Sequence, residues 1–248
     1  MSEQLILDLS GPAVPTFDNF VAGRNGELVA ALRAVATGRA VDTGFLLWGG
    51  TGAGKTHLVH AAVAAARARG AAAALFDLPE ALVAADPDLV GRYALVGIDD
   101  VHAAAGEAQA RLFTLFNTLR AAGGHLVVAS ALPPTRLPLR EDLRTRLGWG
   151  AVRELVPLTD AEKPAALVAW ARQRGFGLGA EVIAYLLAHG RRDMTALLAT
   201  LEALDRRSLA TKRPITIPML RDWLLREAPE RKVGGRAPEQ ARNPEKLD

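Results

Sequence analysis

The sequence predicts an α/β fold, a mostly parallel sheet covered by helices on both faces, followed by a small all-helical domain. Three observations carry that prediction. Short apolar runs at residues 45–48, 71–76, 93–98 and 125–130 alternate with helix-like stretches, as repeated βα units require. The first run enters Gly49-Gly50-Thr51-Gly52-Ala53-Gly54-Lys55-Thr56, a complete G-x-x-x-x-G-K-[ST] match between a strand and a helix. From Thr159 onward only helical periods remain, separated by Gly-rich, Pro-containing or basic turns.

Composition sets the outer limits. A chain of 248 residues, half of them apolar, has ample material for a core. Its 30 Lys and Arg nearly cancel 27 Asp and Glu, leaving +3, which neither demands nucleic acid nor argues against it. The absence of cysteine excludes disulfides, cysteine-ligated zinc and cysteine catalysis. No apolar run approaches the roughly 20 residues that span a membrane. Glu3 and Asp8 do not suit a secretory leader, so a cytoplasmic location is expected.

At the N-terminus, leucines alternate in Gln4-Leu5-Ile6-Leu7-Asp8-Leu9, and Ser10-Gly11-Pro12 detaches them from the rest of the chain. The pattern fits an edge strand or frayed terminus, and equally a short peptide that docks its leucines into a partner's groove. Phe17-Asp18-Asn19-Phe20-Val21 then precedes a helix predicted over 26–36. Phe20 and Val21 suit the base side of a nucleotide pocket; the two aromatics also suit core anchors for that helix.

The Gly49–Thr56 segment explains itself chemically. Glycines let the backbone curl so that its N–H groups face phosphate oxygens, and the following helix adds the positive end of its dipole. Lys55 reaches the β- and γ-phosphates, and the Thr56 hydroxyl ligates Mg²⁺. The segment therefore predicts a nucleoside di- or triphosphate binder, with ADP or ATP and Mg²⁺ as cofactors. His57 and His60 share a helix face, but no third ligand is evident, and the helix itself accounts for them.

A short helix is predicted at 79–84, and the strand at 93–98 runs into Asp99-Asp100. An apolar strand ending in acid is a Walker B element: Asp99 holds Mg²⁺ through water, and Asp100 orients or deprotonates an attacking water. After a helix at 106–121 and the strand at 125–130, Pro133-Pro134 stops the pattern. Arg144 and Arg146 then stand beside Gly148-Trp149-Gly150, where composition alone reads as a solvated face. A last short strand is predicted at 153–157.

Thr159-Asp160-Ala161-Glu162 reads as a capping box opening a helix to about residue 174. Helices at 180–188, 192–208 and 217–226 follow, and the mixed-charge, Pro- and Gly-containing tail is predicted disordered. The expected divisions are 1–15, a peptide and linker; 16–157, the αβ domain; 158–226, the helical domain; and 227–248, the tail.

A P-loop αβ domain followed by a helical lid resembles the AAA+ ATPases. Phe17-Asp18-Asn19-Phe20 with Gly23 and Asn25, the P-loop, and Ile98-Asp99-Asp100-Val101-His102 resemble the DnaA branch of that superfamily. Asp142-Leu143-Arg144-Thr145-Arg146-Leu147-Gly148-Trp149-Gly150, Arg192-Asp193-Met194-Thr195 and Leu204-Asp205-Arg206-Arg207-Ser208 are most similar to its Hda-type members, regulatory inactivators of DnaA. Gln4, Leu5, Leu7 and Leu9 fall on the sliding-clamp-binding pattern of those members. The resemblance implies a nucleotide-carrying protein that sits on the DNA-loaded clamp, meets DNA only through it, and presents an arginine finger, Arg146, to ATP held by DnaA. A homo-oligomer is possible within that family.

Two departures bear on the chain's own catalysis. Relatives tend to have Ser-Asp-Arg where this chain has Ser130-Ala131-Leu132, and Thr195 stands where an arginine is common. Arg192, one turn earlier, is the substitute expected at the nucleotide. With Asp100 a methylene shorter than the Glu of vigorous motors, weak hydrolysis by the chain itself is expected. The alternative is a helicase-loader-like or initiator-like DnaA relative acting on DNA directly, which would call for a further N- or C-terminal domain.

Overall fold

The computed structural model describes residues 14–86 and 92–227. The leucine peptide, Gln4 to Leu9, and all but the first residue of the expected tail lie outside the described residues. The αβ part contains α1 (Gly26–Ala36), β1 (Gly44–Trp48), α2 (Lys55–Ala68), β2 (Ala73–Phe76), β3 (Leu95–Ile98), α3 (Gly106–Ala122), β4 (His125–Ser130), α4 (Glu141–Leu147) and β5 (Ala151–Glu154). The helical part contains α5 (Lys163–Gln173), α6 (Ala180–His189), α7 (Met194–Thr211) and α8 (Ile217–Glu227).

The strands form one sheet in the order β2-β3-β4-β1-β5, and each neighbouring pair runs parallel. Because side chains alternate along a strand, the sheet feeds two cores. Phe45, Leu47, Val127 and Ala129 pack with α1 and α2 on one face. Leu46, Val96, Ile98, Leu126 and Val128 pack with α3 and α4 on the other. Gly97 faces α2: a Cβ there would lie 2.7 Å from Val63 Cγ2 and 2.8 Å from Val59 Cγ1, so glycine lets the helix seat on the sheet. Parallel pairing also collects the strand ends that precede Gly49, Asp99 and Ala131 at one carboxyl edge.

Several boundaries differ from expectation, three of them for identifiable reasons. The last strand is 151–154, not 153–157. Gly150 lies against the Gly44 carbonyl, where no Cβ would fit, so pairing begins immediately with Ala151 opposite Phe45. It ends because β1 turns into the P-loop: Leu155 N–H still donates to the Trp48 carbonyl at 2.7 Å, but beyond it the Asn25 side chain takes over. Buried Asn25 donates from Nδ2 to the Val156 carbonyl at 2.9 Å and accepts the Val156 N–H at 2.9 Å, imitating a neighbouring strand.

The capping box forms only in part. Glu162 Oε2 accepts the Thr159 N–H at 2.7 Å, but the Thr159 hydroxyl turns to the same carboxylate at 2.8 Å, and the helix starts at Lys163. Residues 79–82 form a 3-10 turn with Pro79 at its start. The helical part has its own core, with Leu167, Ile183, Leu186, Leu201 and Leu220 buried together. Among the described residues no helix is long and apolar enough to cross a membrane.

Candidate functional site

The P-loop leaves β1 at Gly49 and returns to helix at Lys55. Two of its turns require glycine, since Gly52 has φ +75° and Gly54 φ +99°. Gly49 is pinned for a different reason: a Cβ there would meet the Leu155 carbonyl at 2.4 Å. Lys55 is only 8 % exposed, and its Nζ donates to the carbonyls of Gly49 and Gly50, each at 2.9 Å. Burial pushes its ammonium below the usual lysine range, against the opposing pull of Asp99 and Asp100. An ammonium has three donors, so one remains beyond the two loop carbonyls, in surroundings that penalise its charge. A polyphosphate answers both conditions.

Asp99, at the end of β3, is buried beside that lysine and accepts the Thr56 hydroxyl proton. This pair of hard oxygen donors suits Mg²⁺. Asp100 is half-exposed, in the left-handed region at φ +47°, and its N–H donates to Asp99 Oδ1 at 2.9 Å. His102 Nδ1 accepts the Ala131 N–H at 3.4 Å and lies 3.9 Å from Asp100 Oδ1. The histidine thus bridges the ends of β3 and β4, between Asp100 and Ala131.

Phe20 covers the far side of the loop. A Cβ on Gly54 would lie 2.7 Å from Phe20 Cε2, and the Phe20 ring meets His57 at a centroid distance of 5.4 Å. Phe17, by contrast, is buried in the α1–α2 core with the Arg33 guanidinium 4.9 Å from its ring centre. The two aromatics therefore divide, Phe17 to the core and Phe20 to the loop. Val21 is half-buried beside Phe20 in the chain. His57 and His60 also separate: His57 Nε2 donates to the Thr16 carbonyl at 2.8 Å, and His60 Nε2 meets Asp77 at 2.9 Å.

From the helical part, Asp193 rather than Arg192 faces the loop. The position of a Cβ on Gly52 is 3.2 Å from Asp193 Cβ and 4.0 Å from Met194 N. Asp193 caps α7 by accepting the Ala196 N–H at 2.8 Å, which aims the start of that helix at the P-loop. Arg192 is exposed and lies near Asp160, whose carboxyl is held low first by its hydrogen bond to Lys163 and, more weakly, by Arg192.

Arg146 is placed elsewhere. It sits on α4, across the sheet from α2, and the chain after it reaches the amino end of β1, where Gly150 touches Gly44. The length of β1, about 13 Å at ~3.3 Å per residue, separates that end from the P-loop. Its guanidinium carbon lies 4.4 Å from the Phe113 ring centre and 5.1 Å from that of Trp149. Sequence reasoning missed this stack, the helix 141–147 that carries it, and the approach of Asp193. The Asp193-x-x-Ala196 cap was legible as a helix start; the cross-helix ring contact had no local signal.

Two family models match the chain, the Hda lid domain over residues 160–224 and the bacterial DnaA ATPase domain over 13–76. Domain III of the Thermotoga maritima replication initiation protein DnaA superposes with a TM-score of 0.75 at 20% identity, covering 86% of this chain and 97% of its own. By these partial matches and this fold, the chain resembles a DnaA-type ATPase core followed by an Hda-type lid. AMPPCP-bound DnaA from Aquifex aeolicus is similar with a TM-score of 0.68 at 22% identity, over 80% of this chain and 66% of that one. The Thermotoga maritima RuvB branch migration motor shares the AAA+ fold more distantly, with a TM-score of 0.62 at 17% identity over 85% and 71%. The lid match spans α5, α6, α7 and most of α8, and the DnaA match spans α1 through β2.

Proposed function

We propose that this protein is a negative regulator of replication initiation, an adenine-nucleotide carrier that docks on the DNA-loaded sliding clamp and stimulates ATP hydrolysis by DnaA through Arg146 in trans. The observation that carries the reading is the position of Arg146. It stands across the sheet from its own P-loop helix, and among the described residues no carboxylate pairs with it. An arginine so placed serves a neighbour's nucleotide better than its own. The Hda-type lid and the DnaA-type core favour DnaA as that neighbour.

In this reading the loop from Gly49 to Thr56 wraps ADP or ATP, and Lys55 neutralises phosphate charge with its remaining donor. Thr56 and Asp99 hold Mg²⁺, Phe20 and Val21 flank the base, and Arg192 approaches from the lid once nucleotide is bound. Bound nucleotide supplies the anionic charge that orders this pocket. Arg146 places a guanidinium where charge develops on the γ-phosphoryl oxygens held by DnaA. Ala131, Thr195 and the short Asp100 keep the chain's own hydrolysis weak. Gln4, Leu5, Leu7 and Leu9 provide the clamp peptide, within the fourfold division 1–15, 16–157, 158–226 and 227–248. DNA is met through the clamp, in the cytoplasm, and the chain can form a homo-oligomer.

The test is ATP hydrolysis by DnaA with DNA-loaded clamp and each variant. Arg146→Ala should lower stimulation by about 10³-fold or more, the scale of trans fingers, while its own nucleotide binding stays unchanged. Arg144→Ala should have a far smaller effect, and Leu5→Ala with Leu7→Ala should abolish clamp binding. Wild-type stimulation by Arg146→Ala would refute the finger.

A further inference from the structure

Guanidinium groups carry their N–H donors in the plane of the group and stack through their faces. Arg146 is held by two aromatic rings. The Phe113 ring of α3 lies 4.4 Å away and Trp149, three residues on, 5.1 Å away. Neither a side-chain hydrogen bond nor an ion pair occupies its edges among the described residues. A carboxylate partner would have fixed this arginine by consuming the very donors that a phosphate needs. Aromatic stacking fixes it and leaves them open.

Trp149 is the unusual member of the stack. It is 54% exposed, flanked by Gly148 and Gly150, and borders a cleft of about 260 Å³ that also touches Val41, Phe116 and Arg120. Apolar burial therefore does little to fix the indole. A second guanidinium does: Arg120 Cζ lies 5.1 Å from the Trp149 ring centre, as Arg146 does. Arg120 likewise has no carboxylate partner among the described residues. The order Phe113, Arg146, Trp149, Arg120 alternates ring and cation, with Arg140 5.9 Å from the Phe113 ring centre, so both rings meet cations through their electron-rich π systems.

We propose that Trp149 is the positioning residue of Arg146, clamping its guanidinium against Phe113 with donors outward, and that Arg120 steadies the indole beside the open cleft. This rests on the reading of Arg146 as a finger acting on a partner's nucleotide. The indole does not touch that nucleotide; it sets the angle at which Arg146 meets the γ-phosphoryl oxygens. Misplacing a reacting group by about an ångström can cost on the order of 10²-fold in rate, so loss of the clamp should appear in turnover rather than in association.

The experiment compares Trp149→Phe, Trp149→Leu and Arg146→Ala with wild type, titrating each into ATP-loaded DnaA and DNA-loaded clamp. Leucine keeps apolar bulk without a π face; phenylalanine keeps the face. The expected result is a maximal stimulated rate at least about tenfold lower for Trp149→Leu, near wild type for Trp149→Phe, and half-saturating concentrations within about twofold throughout. Nitrogen NMR relaxation of the Arg146 Nε–H, measured without partner, should show added mobility in Trp149→Leu alone. If Trp149→Leu matches wild type while Arg146→Ala is inactive, the positioning role is overturned and the finger survives. A Trp149→Leu defect confined to half-saturation overturns it too, making the indole a docking contact. If Arg146→Ala stimulates like wild type, the finger reading itself has failed, and Trp149 has nothing to position.

Discussion

Asp193 rests on Gly52: the lid touches the nucleotide loop where α7 begins, with Asp193 Cβ 3.2 Å from the place of a Gly52 side chain. Asp193 directs its carboxylate to its own helix, accepting the Ala196 N–H, and pairs with Arg191 at 3.2 Å. The starts of α2 and α7 thus converge on one loop, each contributing the positive end of its helix.

Replacing Gly52 by alanine probes that contact. The residue would be held at φ +75° and pressed on Asp193, so stability should fall by about 1–2 kcal/mol, the cost of a left-handed L-residue. Urea unfolding measures it. An unchanged midpoint would contradict the left-handed, lid-contacting conformation of this residue in solution.

Lys55→Met should separate stability from binding. The lysine ammonium is buried at a cost, so the methionine variant without nucleotide should unfold at the same urea concentration as wild type or a higher one. Wild type should gain about 2.7 kcal/mol when ADP or ATP is present at a hundred times its Kd, and the variant should lose most of that gain. A wild-type protein indifferent to both nucleotides would sink the carrier reading.

His57 makes a pH prediction. Burial is the main cause holding its pKa below the usual histidine value of 6.5, with the Thr16 carbonyl hydrogen bond opposing. Below pH 6.5 the unfolded chain takes up a proton that the folded chain resists, so stability should be lost as pH falls from 6.5 towards the lowered folded value. His57→Gln should flatten that part of the pH profile of the unfolding free energy. Equal slopes for variant and wild type between pH 7 and 5 would contradict the burial of this ring.

Much of the pocket was legible because its chemistry is local in sequence. A phosphate loop needs Gly52 and Gly54 at positive φ and Lys55 and Thr56 directly after them, so spacing alone identifies the set. The parallel sheet was legible for a similar reason, since Phe45 to Leu47 and Leu126 to Ala129 are apolar on both faces. What failed depends on distant partners. The boundary of β5 is decided by Gly44 and by the end of β1, and the division of labour between Phe17 and Phe20 by where α1 and Gly54 lie. From composition alone Arg146 read as solvated, because Phe113, more than thirty residues away in sequence, gives no sign of facing it.

Asn25 has a consequence for how the chain acquires its shape during synthesis. Its amide reaches Val156 across a separation of 131 residues, and β5 closes the edge of β1 from a comparable distance. Neither closure can form until most of the polypeptide has emerged. Until then β1 presents an unpaired, wholly apolar edge, the kind of surface that nascent chains lose to aggregation or to chaperones. Such long loops close slowly. The nucleotide loop, which leaves that same strand, therefore matures late, and a ribosome-bound chain should be unable to load nucleotide before its lid begins to appear.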